Sequence, residues 1–256
     1  MTLGIPPLRR TLHFLLPCLI LLPLMASVMI RSVDPALAAD WRTARNDSSH
    51  QAPDPALTPQ AVLQVYAART FGWRGAFGVH TWFAVKPPGA DHYLRLEVIG
   101  WGVRAGWPAV RVSQATPDAY WYGSRPKILL DRRGAAAEAL IAEIMQAAQD
   151  YPYPDSYRVW PGPNSNTFTA FVARQVPGLG LELPVTAIGK DFLGNGALIG
   201  DAPSGTGKQF SIFGLAGVTV AAKEGVEFNI LGISLGLDVS PPALKLPGIG
   251  RLGMGM

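Results

Sequence analysis

Cysteine is almost missing from this chain. Its 256 residues contain one, Cys18, which lies in an N-terminal apolar run. A disulfide within the chain, a cysteine metal site and a cysteine nucleophile in the folded region are therefore excluded. Histidine is nearly as scarce, with four residues. His13 falls in the apolar run and His50 in a polar linker. Histidine chemistry in the folded region thus rests on His80 or His92, and a three-histidine zinc site is effectively ruled out. Charge is sparse as well: 16% of residues are charged and the net charge is +4. The lysines and arginines are scattered, with no basic run and no alternation of basic with aromatic residues. That removes the footprint of a nucleic-acid-binding protein.

Two apparent motifs fail on chemistry. Ala202 to Gln209, APSGTGKQ, resembles a phosphate loop, but Ala202 replaces the first glycine and Gln209 stands where Ser or Thr is required. Ser124 to Lys127, SRPK, has the Ser-x-x-Lys spacing of some acyl enzymes, but Pro126 opposes the helix that geometry needs. No cofactor and no metal is expected.

Apolar residues make up 48% of the chain, enough for one good domain with appendages. Arg9 and Arg10 precede an uncharged run from Thr11 to Ile30, long enough to span a bilayer as a helix. The flanking charges favour a cytoplasmic N-terminus. An uncleaved inner-membrane anchor is expected, with the folded part facing the periplasm. The alternative is a signal segment cleaved near Ala38, within Ala36-Leu37-Ala38, followed by secretion. The boundaries read as an anchor or signal over 1–39, a linker over 40–57, a core over 58–185 and a Gly-rich β extension over 186–256.

Within the core, Thr58 and Pro59 are placed to start a helix with Ala61, Val62, Val65 and Tyr66 on its apolar face. Gly75 to Val85 alternates as a strand, turns at Pro87-Pro88-Gly89 and returns through Tyr93 to Ile99. Further strands are expected at Val110–Val112, Ala119–Tyr122 and Ile128–Leu130, and a short one at Tyr157–Trp160. Gly134 to Asp150 carries an apolar stripe at helical spacing. In the extension, Phe210–Ala222 and Val226–Val239 form a hairpin closed by Lys223-Glu224-Gly225, with a bulge or double-sided burial near Ile230-Leu231. The last Pro-rich piece, from Ser240 onward, should run extended over a surface.

The chemistry concentrates in WPGPNSNTFTAFVARQVPGL, Trp160 to Leu179. Pro161, Gly162 and Pro163 turn the chain, and Asn164 or Ser165 falls at the N-cap of a helix that Pro177-Gly178 ends. Asn164, Ser165 and Asn166 are thereby held at a helix mouth, where free N–H groups favour developing negative charge. One reading makes Ser165 a nucleophile, His80 its base and His92 (or Asp91) the orienting third group, with Asn164 and Asn166 near the oxyanion. The other makes Ser165 a plain cap, His80 a half-buried strand residue, and Asp91 and His92 an exposed turn.

The order GVHTWFAVKPPGADHYLRLEV and then GPNSNTFTAFVARQVPGL resembles circularly permuted papain-like proteins of the NlpC/P60 and lecithin–retinol acyltransferase groups. The resemblance implies an α+β fold with an antiparallel sheet packed on helices. It also implies hydrolase or acyltransferase chemistry on amide or ester bonds. Asn164, Ser165 and Phe168 match the Asn-Cys-x-x-Phe motif with serine in place of the nucleophilic cysteine. His80 matches the base, and His92 falls at the separation of the second histidine in the acyltransferase branch. A serine hydroxyl is harder to deprotonate than a thiol, so the alternative is a non-catalytic envelope module binding lipid, peptide or a protein partner. Over its length the chain also resembles an uncharacterised bacterial family, domain of unknown function 3750.

Overall fold

The computed structural model describes residues 8–33 and 40–253, with side chains from residue 17 onward. The cleavage motif at 36–39 lies outside the described residues. Helix α1 covers Leu8–Ser32. Among the described residues no helix is long and apolar enough to cross a membrane, and the side chains of Thr11 to Leu16 lie outside that set.

The fold is α+β, with two antiparallel sheets. The first has the order β4-β3-β2-β1-β5, from β1 (Val62–Arg69), β2 (Val79–Lys86), β3 (Leu94–Val98), β4 (Val110–Ser113) and β5 (Lys127–Arg133). The expected helix after Thr58 is instead β1. Val62 to Ala68 is buried throughout, and its two parities feed different clusters. Leu63, Val65 and Ala67 face the helices. Val62, Tyr66 and Ala68 join Trp82, Ala84 and Tyr93 on the other side. A strand covered on both faces reads as a continuous apolar run, which helical spacing fits equally well.

The hairpin across Pro87-Pro88-Gly89 is present, with Phe83 opposite Leu96 and Val85 opposite Leu94. Helix α2 (Ala135–Gln149) starts after Gly134, whose φ of 64° suits a residue without Cβ. Helix α3 (Ser165–Gln175) lies on β2. Phe168 meets Phe83 edge-on at 6.3 Å, and Thr81 Oγ1 lies 2.8 Å from Thr169 Oγ1. Odd-numbered β2 side chains therefore face α3, and even-numbered ones face away. Ala119–Tyr122 forms only isolated bridges, and Tyr157–Trp160 forms no strand.

The extension is larger than the expected hairpin. It is a seven-stranded meander, β12-β11-β10-β9-β8-β7-β6. Its strands are β6 (Ile199–Asp201), β7 (Gly207–Ile212), β8 (Ala216–Ala221), β9 (Gly225–Ile230), β10 (Ile233–Val239), β11 (Pro242–Leu246) and β12 (Gly250–Gly253). Each expected strand breaks at its middle into a hairpin. The turns are Phe213-Gly214, with φ of 52° and 75°, and Leu231-Gly232, with φ of 54° and 83°. Paired positive φ values make tight hairpin turns. An apolar first residue hides them from a reading that looks for Asn or Asp. The slip near Ile230-Leu231 is such a turn, not a bulge.

Candidate functional site

Asn164 is the cap of α3. Its Oδ1 accepts from the N–H groups of Asn166 and Thr167 at 2.9 and 3.1 Å. Its Nδ2 donates to the carbonyls of Val159 and Ile188. Asn166 is equally committed: Nδ2 donates to Val79 and Ile188, and Oδ1 accepts from Thr81. Both amides thus pin the helix mouth to β2 and the 186–189 loop. Both residues line a cavity at the helix mouth, with their amide donors spent on these carbonyls.

Ser165 is left at the first helical position. Its carbonyl accepts from Thr169 at 3.1 Å. Its hydroxyl and its N–H have no hydrogen-bond partner among the described residues. The residue is 4% exposed and lines a cavity of about 680 Å³. Capping therefore does not occupy its hydroxyl.

His80 lines the same cavity. It points away from α3, on the even-numbered face of β2, and is buried. Its Nε2 lies 2.9 Å from Glu97 Oε2. Arg95 Nη2 donates to that same oxygen at 2.7 Å. Trp121 stacks on the imidazole with centroids 3.7 Å apart, and the Arg95 guanidinium sits over Trp82 at 4.3 Å. Burial pushes the histidine below its ordinary value; the bond to Glu97 opposes this and Arg95 adds to it, leaving a net decrease. Burial would raise the Glu97 carboxyl, but His80 and Arg95 outweigh it and hold it low. The pair is neutral imidazole beside carboxylate. An ionised carboxylate only accepts, so the proton sits on Nε2 and Nδ1 carries the lone pair. Nδ1 has no partner among the described residues.

His92 is elsewhere. It is exposed in the β2–β3 connection, with Nδ1 beside Asp91 at 2.5 Å and Nε2 near Gln114 at 3.1 Å. Neither His92 nor Asp91 lines the cavity. The group that orients His80 is Glu97, which the sequence reading passed over. The signal was available in YLRLEV. Leu94, Leu96 and Val98 share one face of β3, while Arg95 and Glu97 share the other. Extending the hairpin register sets Glu97 across from Trp82, a diagonal step from His80.

Ser165 and His80 border one cavity, but no hydrogen bond joins them. They reach it round the end of β2, from its two faces. The remaining wall is strongly aromatic, with Trp73, Phe77, Trp101, Trp121, Tyr157 and Trp160. Leu231 and Ile233 of the second sheet complete it. Among the described residues no group of three or more His, Cys, Asp or Glu side chains could hold a metal ion.

No curated protein and no solved structure matches the chain. The sequence profile described as "Protein of unknown function (DUF3750)" matches residues 60–192, a span that contains Ser165, His80 and Glu97, and the chain belongs to that family.

Proposed function

We propose that this cavity is a serine-dependent acyl-transfer site in a permuted papain-like core, acting as hydrolase or acyltransferase on an ester or amide with an apolar acyl part. One observation carries the reading: His80, held by Glu97 through Nε2 and with Nδ1 open, shares an aromatic cavity with the uncommitted hydroxyl of Ser165. Ser165 Oγ attacks the substrate carbonyl carbon, and its proton passes to His80 Nδ1 directly on substrate closure or through one water. The Ser165 N–H, at the positive end of α3, donates to the oxyanion. His80 returns the proton to the leaving alcohol or amine, and the acyl-serine is released to water or a second acceptor.

The reading of location rests on the N-terminus. Arg9 and Arg10 before the Thr11–Ile30 run support an inner-membrane anchor with the folded part in the periplasm, or a secreted form cut near Ala38.

A second reading, a non-catalytic envelope module that binds an apolar ligand in the same cavity, draws on the missing hydrogen bond between Ser165 and His80. An alkyl fluorophosphonate separates the two. Labelling at Ser165 is expected in the wild type, none in Ser165→Ala at an unchanged thermal midpoint, and labelling slowed by about 100-fold or more in His80→Gln. A wild type that stays unlabelled would falsify the catalytic reading and leave the binding module.

A further inference from the structure

The second sheet is turned inside out. Its inward rows are polar and buried: Gln209, Thr219, Glu227 and Lys245 in one, Asn229 and Ser234 in the next. Its outward rows are apolar. Phe210, Val218, Phe228 and Leu235 are paired in sequence across four strands, and Val220, Val226, Leu237, Leu244 and Leu252 across five. Phe228 and Leu237 are each 55% exposed and Val239 is 72% exposed. Charge enters this face at one corner, where Lys208 pairs with Asp201 at 2.6 Å. An uncovered apolar face spanning several strands is far beyond the scattered exposure of ordinary surfaces.

We infer that this face, together with one end of the sheet, docks on a lipid bilayer. Three observations choose lipid as the occupant. First, the tips at that end are apolar although their backbone disfavours it. Phe213 and Leu231 hold φ above 50°, where Gly, Asn or Asp sits at lower cost. They stand 52% and 63% exposed. Second, α1 is attached at the same end. Ser27 Oγ donates to Ala76 at 2.5 Å and lies 3.1 Å from the carbonyl of Gly248, in the β11–β12 turn. From there α1 presents Leu21, Leu22, Met25, Met29 and Ile30 outward, all more than half exposed. One apolar medium covers helix and sheet together, whereas a second copy would have to fit both surfaces. Third, exposed Trp73, Trp101 and Trp160 line the cavity beside Leu231, and tryptophan collects where lipid meets water. The docking needs no chemistry at Ser165.

The test uses the full chain with Cys18→Ser, reconstituted in vesicles of phosphatidylethanolamine and phosphatidylglycerol. Single cysteines replace Phe228, Leu231, Leu237 or, as control on the exposed face of α2, Glu143, and each carries a nitroxide. Collision rates with oxygen, which partitions into lipid, and with a water-soluble nickel chelate report immersion. The oxygen-to-nickel ratio is expected to be several-fold higher at 228, 231 and 237 than at 143. Equal ratios at all four positions overturn the proposal. So does strong dipolar broadening between copies at 228 and 237, which identifies a second chain as the cover.

Discussion

In a Glu97→Gln variant the side chain accepts at one atom only, and Arg95 competes for that atom. The amide can also donate to Nε2, which moves the imidazole proton to Nδ1, the wrong nitrogen for a base facing the cavity. Labelling of Ser165 should fall by about 100-fold or more with folding retained, because a misplaced tautomer removes the base. Retained labelling would show that Glu97 does not set the tautomer. The pH dependence has a definite sign. The base must be neutral, and burial holds His80 below the ordinary value of 6.5, so the acid limb of the labelling rate should fall below that pH. Stability follows the same direction. Below pH 6.5 the unfolded chain takes a proton that folded His80 refuses, so this contribution is complete above 6.5 and erodes as the pH falls towards the folded value. Glu97, held low, adds loss of the same sign below its ordinary 4.5. Thermal midpoints across this range should slope in the wild type and flatten between 6.5 and 4.5 in His80→Gln. His80 and Ser165 were legible in the sequence because histidine is scarce and because a serine after a Pro-Gly-Pro turn marks a helix mouth. Glu97 was legible only by carrying the β2–β3 register through YLRLEV, and Trp121 was not, because it arrives on a segment that forms only isolated bridges.

At the scale of elements, the start of α3 rests on the Asn164 side chain, which takes two of its otherwise free N–H groups. The Asn164→Ala variant loses a cap worth about 1–2 kcal/mol and leaves the Val159 carbonyl without its donor, which adds about 1 kcal/mol. The thermal midpoint should drop by about 4–10 °C. Gly189, at φ 101°, offers an independent route to the same contact, since a Cβ there would come within 2.4 Å of Asn164 Nδ2. Gly189→Ala should resemble Asn164→Ala in calorimetry, and a variant as stable as wild type would show that the cap is not the fulcrum. The elements that could be read were those whose residue types keep one period. β2 and β3 are buried on both faces, as β1 is, but β3 alternates apolar residues with Arg95 and Glu97, β2 sets Val79, Phe83 and Val85 between Gly78, His80 and Ala84, and α2 recurs against one covered face. β1 failed because its run of apolar residues on both faces fits helical spacing as well as a strand. The meander was undercounted because Phe213 and Leu231 occupy turn positions where apolar side chains carry no turn signature.

The second sheet is tied by buried charge to the 182–191 segment that follows α3, and this decides whether the extension is an appendage. Lys190, from the segment before β6, bonds Glu227 at 2.6 Å and lies 3.2 Å from Asp191. Lys245 on β11 reaches Glu182 at 2.5 Å, and Glu227 and Asp238 at 2.9 Å each. Burial alone would push Lys190 down, but Asp191 and Glu227 raise it strongly. Lys245 is raised for the same reason, against its own burial. Glu182, Lys190 and Asp191 lie within the family match at 60–192, and Glu227, Asp238 and Lys245 lie beyond it. Lys245→Met leaves Glu227 with Lys190 alone and Asp238 with Arg251 alone, so it should cost about 3 kcal/mol, the lower end for a broken buried pair, and still more than a lost surface pair. The deficit should also shrink as the pH falls, because carboxylates that face less positive charge in the fold take up protons more readily there. Denaturant titration at two pH values measures both effects. A loss below about 1 kcal/mol, the level of an exposed ion pair, would mean that the second sheet is held to the core elsewhere. This clamp also explains the inverted sheet. Its polar side is used up in gripping the core, and its apolar side is left for the bilayer.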